Sequence, residues 1–214
     1  MEISEQMMEE ARAEQEKLAY DVIREDFPPI SGSTAIGVDV AYVNDVAVAS
    51  AVSVDYGNHS KLWHETVVRE TQFPYVPGFF FLREGPILEI LLKKIKPGLP
   101  VMVDANGILH PRRCGLASWL GVRLNIQTIG VTKKLLLGEF GERCADRADV
   151  VDQGEVIGEA VWLEGKKKPV FVSIGHRVSL ETAVRVTKES TKRFYPEPLR
   201  AAHKQCNQEA KMLS

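Results

Sequence analysis

Two aspartates stand at positions where a carboxylate needs a partner. Asp39 interrupts the β-branched run "TAIGVDVAYV", and Asp104 ends the apolar run of "LPVMVDANG". Burying an unpaired carboxylate in such a strand costs on the order of several kcal/mol. A third acid, Glu84, follows a proline-containing loop. Because Mg²⁺ prefers oxygen ligands and is held by a few carboxylates, these acids form a candidate metal site for hydrolysing a phosphodiester.

The spacing of these acids does not by itself single them out. The chain contains 29 Asp and Glu residues, so many other trios exist by chance. An ordinary structural role for each of the three acids stays open at this level.

An aromatic stretch lies between Asp39 and Asp104. Residues 71–86 read "TQFPYVPGFFFLREGP", with Tyr75 and three successive phenylalanines placed around two prolines and a glycine. Apolar residues in a loop indicate either a buried corner or a surface that contacts something flat. The buried corner suits Phe79, Phe80 and Phe81 better than it suits Tyr75.

Length and composition predict one globular domain over residues 1–214. The chain is 44% hydrophobic and 26% charged, which is enough to bury a full core. Its apolar runs are far shorter than the roughly 18 residues of a membrane span, and its acidic N-terminus does not resemble a secretory signal. We therefore expect a cytoplasmic protein with no membrane association and no obligate protein partner. The three cysteines, Cys114, Cys144 and Cys206, lack disulfide or zinc-site spacing and are predicted to be reduced.

The hydrophobic pattern predicts a mixed α/β fold. Three consecutive antiparallel strands are expected at 34–43, 45–55 and 61–70, and an alternation of strands and helices follows them. Further strands are predicted within 99–107 and 125–132, and a hairpin at 160–175. Helices are predicted at 3–26, 79–95, 112–124, 179–193 and 196–213, with Ser179 as an N-cap.

Charge is distributed unevenly along the chain. Residues 1–99 are net acidic and residues 100–214 are net basic, so an anionic partner is expected to dock on the second half. The signal is weak, because "EGKKKP" at 164–169 is first interpreted as a solvated hairpin tip. The pI of about 6.2 also lies below that of a typical basic nucleic-acid-binding domain.

Six ordered motifs resemble one family over nearly the whole chain. They are "GVDVAY", "PYVPGFFFLREGP", "VDANGILHPRRCGLASWLGV", "IGVTKKLL", "GHRVSLETA" and "PEPLRAAH". In this order they are similar to endonuclease V, a family of inosine-directed repair nucleases. The resemblance implies a ribonuclease H-like fold, in which a mixed central sheet of three antiparallel strands and then parallel strands is flanked by helices.

The resemblance also implies roles for individual residues. Asp39, Asp104 and Glu84 match the metal-binding acids, and His203 falls where the family carries a fourth ligand. Lys133 matches a lysine near the scissile phosphate, and His110 a histidine beside the active centre. From the residues alone, helix capping by His110, a solvated turn position for Lys133 and a surface position for His203 stay open.

In the family, the loop that matches "PYVPG" is a wedge. Tyr75 would enter the gap left by a flipped base, while Pro74 and Pro77 stiffen the loop and Gly78 admits the purine. The expected pocket residues that complete this set are Phe80, Ala105, Gly107 and Leu116. Candidates for contacting the phosphate backbone are Arg83, Arg112, Arg113, Lys134, Lys192 and Arg193; for Arg177 a structural role is favoured.

Two departures from the usual family pattern lie near this pocket. Ala105 in "DANG" stands where glycine is common, so a methyl group is added beside the base. Trp119 stands where the family pattern predicts histidine. If position 119 touches phosphate, that contact is lost; if it packs inside, little changes.

These features lead us to expect a Mg²⁺-dependent endonuclease, with Mn²⁺ as an alternative ion, that acts on DNA containing deoxyinosine. It would hydrolyse the second phosphodiester bond 3′ to the inosine and leave a 3′-hydroxyl and a 5′-phosphate. Three rival hypotheses stay open: cleavage of inosine-containing RNA, a non-cleaving inosine-binding module, and another ribonuclease H-like nuclease such as a junction resolvase.

Overall fold

The computed structural model of the chain describes residues 4–71 and 73–213. It begins with helix α1 (Glu5–Tyr20), which Ser4 caps by accepting a hydrogen bond from the Met7 amide. The sequence pattern predicted this helix as far as residue 26, and position 3 of that prediction lies outside the described residues. The helix ends early because the Ile23 amide donates to His176 Nδ1 and its carbonyl accepts from the Arg177 amide.

Three antiparallel strands follow α1, as predicted. They are β1 (Thr34–Val43), β2 (Val46–Asp55) and β3 (Ser60–Glu70). Helix α2 (Phe80–Ile95) then carries Pro86 in its interior, so the predicted first-turn position is wrong, and the alternative prediction of a kink at Pro86 stays a prediction.

The centre of the sheet is parallel. Strands β4 (Val101–Val103) and β5 (Thr128–Thr132) are joined through helix α3 (Leu116–Leu124) and place β4 between β1 and β5. The helix predicted from residue 112 begins later, because residues 110–113 form a turn in which the Arg113 amide donates to the His110 carbonyl.

The second half of the sheet is antiparallel again. It contains β6 (Glu139–Phe140), β7 (Arg147–Asp152), β8 (Glu155–Val161) and β9 (Val170–His176), giving the order β3-β2-β1-β4-β5-β9-β8-β7-β6. The β8–β9 hairpin was predicted, but β6 and β7 were not. The chain ends with α4 (Leu180–Glu189), the short strands β10 (Thr191–Arg193) and β11 (Tyr195–Pro196), and α5 (Glu197–Met212). Ser179 caps α4 as predicted, and the helix predicted to residue 193 stops at 189.

Each face of the sheet has its own core, formed together with helices. With the strand order above, these cores confirm the predicted mixed sheet flanked by helices. On one face, Ile36, Val38 and Val40 of β1 pack with residues of α1, α2 and α3. On the other face, Ala41 contacts α5, and a cluster containing Met102 and Ile129 contacts α4. Side chains of successive strand residues point to opposite faces, so Asp39 lies on the α5 face.

The structure bears on the predicted thiols and on the predicted absence of a membrane span. Cys114, Cys144 and Cys206 are all free, which confirms that they form no disulfide. Within the described residues, none of the helices combines the length and hydrophobicity that crossing a bilayer requires.

Candidate active site

Asp39 and Asp104 lie side by side on neighbouring strands. The parallel pairing of β1 with β4 reaches Val38 and Val103, and an aspartate follows each of these residues. Asp39 Oδ2 lies 2.7 Å from His203 Nδ1 on α5, and the Cys206 thiol lies 3.5 Å from the same oxygen. Packing of α5 on β1 therefore joins two predicted site residues that are 164 positions apart.

Each oxygen of Asp104 has a different partner. Oδ1 accepts a hydrogen bond of 2.8 Å from the Tyr195 hydroxyl, which also lies 3.1 Å from the Val131 carbonyl oxygen. Oδ2 lies 3.3 Å from the Lys133 ammonium. Lys133 thus lies beside the predicted metal ligand, rather than in an isolated solvated turn.

Glu84 enters the site from α2 and is only 8% exposed. Its nearest polar partner is the Tyr42 hydroxyl, 3.5 Å from Oε1. Burial, followed by the negative charges of Asp39 and Asp104, raises the pKa of Glu84 well above its usual value. Burial also raises the pKa of Asp39, although its hydrogen bond to His203 opposes this. The three predicted acids therefore repel one another in a poorly solvated site.

A divalent cation fits this arrangement on chemical grounds. The side chains of Asp39, Glu84 and Asp104 supply hard oxygen donors, and His203 adds an imidazole. Among the described residues, no three His, Cys, Asp or Glu side chains converge into a preformed metal-binding group. Mg²⁺ keeps several waters and needs only one or two carboxylates, and a cation would relieve the repulsion between the acids. The ligand set stays a prediction.

The aromatic loop divides into a buried base and an exposed tip. Phe79 and Phe81 are buried, whereas Tyr75 is 61% exposed and packs edge-on against Phe80, with the ring centroids 5.8 Å apart. The flanking Pro74 and Pro77 are exposed. The loop therefore presents one aromatic ring to solvent on an apolar foundation.

Two side chains hold this loop in place by contacting the backbone carbonyl oxygen of Gly78. Arg112 donates to it through Nη2 at 2.5 Å, and His110 Nε2 lies 3.2 Å from it. The Arg112 guanidinium also stacks over the Phe79 ring at 4.2 Å. Gly78 has φ +78°, a conformation that glycine adopts without strain.

The protonation state of His110 follows from these contacts. Its Nδ1 accepts from the Arg112 amide at 3.2 Å, so Nε2 carries the proton that is donated to Gly78. Burial, and next the charge of Arg112, lower the pKa of His110 to about 4. The neutral imidazole positions the aromatic loop, and the structure gives it no contact with the three acids.

One cavity of about 480 Å³ extends from the aromatic tip to Asp104, one of the three acids. Among the predicted site residues, those that line it are Tyr75, Gly78, Phe80, Asp104, Ala105, His110, Leu116, Lys133 and Lys134. Asn106, which the sequence analysis did not select, lines it as well. Pro74, Pro77 and Gly107 do not line it.

Gly107 has a packing role instead. A side chain there would meet the Ile174 carbonyl oxygen of β9 at 1.9 Å. The amide of Gly107 donates to Ser173 Oγ, and its carbonyl accepts from the Gly115 amide. Its amide and its carbonyl are therefore both hydrogen-bonded within the protein.

Several predicted phosphate contacts have partners within the protein. Arg83 stacks over the Tyr42 ring, and Arg113 forms ion pairs with Asp152 and Glu155. Arg177 donates to the backbone carbonyls of Phe27 and Asn125, in agreement with its predicted structural role. Lys192 and Arg193 lie exposed on β10. Their contacts with nucleic acid stay predictions.

Trp119 packs inside the protein. Its ring lies 5.3 Å from that of Phe81 and fills the space where a side chain at Gly85 would stand, and its Nε1 donates to Glu14. Of the two readings of this departure from the family pattern, internal packing is the observed one.

Sequence reasoning missed two tyrosines that contact the acids. Tyr42 contacts Glu84, and Tyr195 contacts Asp104. Tyr42 lies three residues after Asp39 in the same strand, which could have marked it. Tyr195 had no local signal, because the contact depends on how β11 docks against β5.

Comparisons with known proteins agree on one family. A sequence model of endonuclease V matches residues 16–204. The endonuclease V of Thermofilum pendens is 46% identical over 199 residues, covering 92% of this chain and 86% of the relative. The crystal structure of endonuclease V from Streptomyces avermitilis superposes with a TM-score of 0.88 at 37% identity, covering 99% of this chain and 95% of that one.

A second solved structure contains nucleic acid. Endonuclease V of Ciona intestinalis superposes with a TM-score of 0.88 at 31% identity, covering 99% of this chain and 100% of that one. It is in complex with a 24mer DNA containing an inosine followed by a ribo-adenosine.

Proposed function

The chain belongs to the endonuclease V family and is a nuclease, and from this premise we propose that it cuts DNA at deoxyinosine. The proposed reaction is hydrolysis of the second phosphodiester bond 3′ to the inosine, giving a 3′-hydroxyl and a 5′-phosphate. The proposed role is repair of deaminated adenine in DNA. The inosine-containing DNA held by the Ciona relative supports this substrate.

The observation that carries the proposal is the shared cavity. Tyr75 lines one part of it, and Asp104 and Lys133 line another. A nuclease that recognises a damaged base needs an aromatic group to replace the flipped base and an acidic centre within reach of the backbone. The cavity places the Tyr75 ring and one of the three acids, Asp104, in one continuous space.

Recognition would begin at the exposed ring. Stacking of a base on an aromatic side chain contributes about 1 to 3 kcal/mol, which offsets part of the cost of unstacking the inosine. The hydrogen bonds from Arg112 and His110 to Gly78 keep the loop in place, so little ordering is left to occur on binding.

The flipped hypoxanthine would be read beside Ala105 and Leu116. Hypoxanthine differs from adenine at O6 and N1, which backbone donors and acceptors can distinguish, and from guanine by lacking the 2-amino group, which a tight wall excludes. The methyl group of Ala105, which is 6% exposed, narrows the space available to that amino group.

At the scissile phosphate, Asp39 and Asp104 would be the main ligands of Mg²⁺ or Mn²⁺, completed by Glu84 and His203. When bound, such an ion supplies a water of lowered pKa as the nucleophile and charge stabilisation for the leaving oxygen. Lys133 would hold a phosphate oxygen and stabilise its developing charge. Tyr195 keeps Oδ1 of Asp104 fixed, and His203 orients Oδ2 of Asp39.

The test is to map the cut to the nucleotide. A 5′-end-labelled duplex with one inosine is incubated with the protein and Mg²⁺, beside an inosine-free duplex and an EDTA control. We expect one nick, at the second bond 3′ to the inosine, which EDTA abolishes. Binding without a nick would instead identify a non-cleaving module, and equal nicking of the inosine-free duplex would contradict the proposal.

An RNA oligomer of the same sequence decides the substrate. The ribo-adenosine after the inosine in the Ciona complex makes this comparison pertinent, since RNA carries a 2′-hydroxyl at that position, as at every other, and DNA does not. We expect the DNA to be cut faster. Preferential cleavage of the RNA would replace the repair role with a ribonuclease function.

A further inference from the structure

The tip of the β8–β9 hairpin carries three consecutive lysines that differ in their surroundings. Lys167 and Lys168 are exposed, whereas Lys166 is partly buried. From the sequence, all three belong to a solvated hairpin tip. The structure separates Lys166 from the other two.

Lys166 lies at the edge of the candidate active site. Its ammonium is 5.2 Å from the centroid of the Tyr195 ring, and the ammonium of Lys133 is 4.5 Å from the same centroid. The hydroxyl of this tyrosine donates to Asp104. One aromatic ring therefore gathers two lysines and the carboxylate at the reaction centre.

The backbone of the hairpin tip holds Lys166 in this position. Its amide donates to the Leu163 carbonyl at 3.1 Å. The neighbouring Gly165 has φ +76° and lies so close to the Phe194 ring that a side chain there would meet it at 2.9 Å. The tip thus packs on Phe194, next to Tyr195.

The charges around this ring are unbalanced. Asp104 forms an ion pair with Lys133, while Lys166 has no carboxylate partner in an ion pair among the described residues. Burial and the charge of Lys133 lower the pKa of Lys166, and the charge of Asp104 opposes this; an anion bound beside Lys166 would stabilise its ammonium form further. A lysine offers three donors, and a phosphodiester oxygen beside the scissile bond would be such an anion.

We propose that Lys166 is a second phosphate-binding residue, which holds a backbone phosphate within one nucleotide of the phosphate contacted by Lys133. The proposal rests on the proposed inosine-directed cleavage of DNA. Lys166 would fix the strand on the 3′ side of the flipped base, whereas Lys168 stays in solvent. A solvated tip would make the two lysines equivalent.

The experiment compares Lys166→Met with Lys168→Met. Methionine keeps a long aliphatic side chain and removes the ammonium that lies over the Tyr195 ring. The affinity of each protein for a single-inosine duplex is measured by fluorescence anisotropy in EDTA, with one phosphate at a time replaced by a neutral methylphosphonate. Single-turnover cleavage of the unmodified duplex in Mg²⁺ is measured in parallel.

Besides the phosphate contacted by Lys133, we expect a second phosphate near the cut whose neutralisation weakens binding by the wild type about tenfold, the size of a charged hydrogen bond. Lys166→Met should bind the unmodified duplex about tenfold more weakly and lose sensitivity at that phosphate only, while Lys168→Met keeps it. Lys166→Arg should restore most of the affinity.

Two results would overturn the proposal, and they differ in meaning. If the wild type cuts at inosine but Lys166→Met and Lys168→Met give the same methylphosphonate profile, Lys166 is an ordinary surface lysine. If the wild type neither binds nor cuts inosine DNA preferentially, the proposed function fails, and the role of Lys166 fails with it.

Discussion

Asp39 and Asp104 occupy equivalent positions on neighbouring parallel strands, one residue beyond the paired Val38 and Val103. Neighbouring strands lie about 4.8 Å apart, so this register alone brings two carboxylates together. This arrangement lowers the stability of the fold, since burial and mutual repulsion raise the pKa of Asp39. Such a cost is typical of a site kept for function.

Asp39→Asn tests whether cleavage needs the negative charge of this residue. Asparagine keeps the shape and can accept the bond from His203 but cannot carry charge. Cleavage of inosine DNA should fall on the order of 100-fold or more, and binding should change little. Metal-free thermal stability should not decrease, because a buried charge is removed. Single-turnover cleavage, anisotropy and thermal unfolding measure these effects; a variant that cleaves at the wild-type rate would contradict the role of Asp39.

Tyr75→Ala tests the wedge. Loss of about 1 to 3 kcal/mol of stacking should weaken binding of inosine DNA by about 5- to 150-fold, whereas Tyr75→Phe should bind nearly as the wild type does. Tyr20, an exposed tyrosine at the end of α1 with 92% exposure, provides a control as Tyr20→Ala. Equal affinities of Tyr75→Ala and Tyr20→Ala would show that the exposed ring does not touch the substrate.

Arg112→Met distinguishes loop anchoring from phosphate binding. Arg112 holds the Gly78 carbonyl, so its loss should weaken binding about tenfold, the size of a charged hydrogen bond, without changing the dependence of affinity on salt. Each lost phosphate contact lowers the slope of log affinity against log salt by about 0.9. Lys134→Met serves as the comparison, because Lys134 lines the cavity and is a predicted phosphate contact. A reduced slope for Arg112→Met would assign it to the phosphate backbone.

Tyr195→Phe tests how Asp104 is oriented. The ring that contacts Lys133 is kept, and only the hydroxyl that donates to Asp104 is removed. A charged hydrogen bond is worth about 1.5 to 3 kcal/mol, so the affinity for Mn²⁺ should fall about tenfold or more. Calorimetric titration of Mn²⁺ into the DNA-free protein measures this directly. Unchanged Mn²⁺ affinity would mean that the hydroxyl serves only packing.

The pH dependence of stability should show the buried histidine His176. Burial lowers its pKa to about 4, and its Nδ1 accepts the Ile23 amide proton, so protonation breaks this contact. Because the folded pKa lies below the unfolded value near 6.5, stability is complete above pH 6.5 and falls as the pH decreases towards 4.

Replacing His176 by Asn should therefore flatten the decrease between pH 6.5 and 4.5 by up to about 1.4 kcal/mol per pH unit. Urea denaturation at several pH values measures the slope. The matched control substitution is His64→Asn, on the exposed strand β3. The same slope in His176→Asn and the wild type would show that folding does not lower the pKa of His176.

The sequence predicted elements whose signals are local. The three antiparallel strands follow from β-branched runs separated by turns, and Asp39 is conspicuous because it interrupts one of them. Strand β7 was missed because half of its six residues, Arg147, Asp149 and Asp152, are charged, as in a polar loop. Helix α1 was overextended because the Ile23 contact with His176 comes from a segment more than 150 residues away.

The same distinction holds at the candidate site. Acids, lysine and wedge residues are identifiable by type and motif, but the partners that orient them depend on tertiary packing. Tyr195 reaches Asp104 across 91 positions, and Lys166 reaches the same ring from a hairpin tip. Gly107 was predicted to line the pocket, yet its backbone is bonded to β9 and to the start of α3, a fact that only the three-dimensional packing reveals.

The central claim is that Asp39 and Asp104 share one divalent ion. Crystals of the wild-type protein grown with Mn²⁺ and an inosine-containing duplex would locate the ion by anomalous scattering. We predict a peak bonded to one oxygen of each aspartate at about 2.0 to 2.2 Å, the range of Mg²⁺-like coordination. A peak held by other residues, or no peak between these two carboxylates, would contradict the claim.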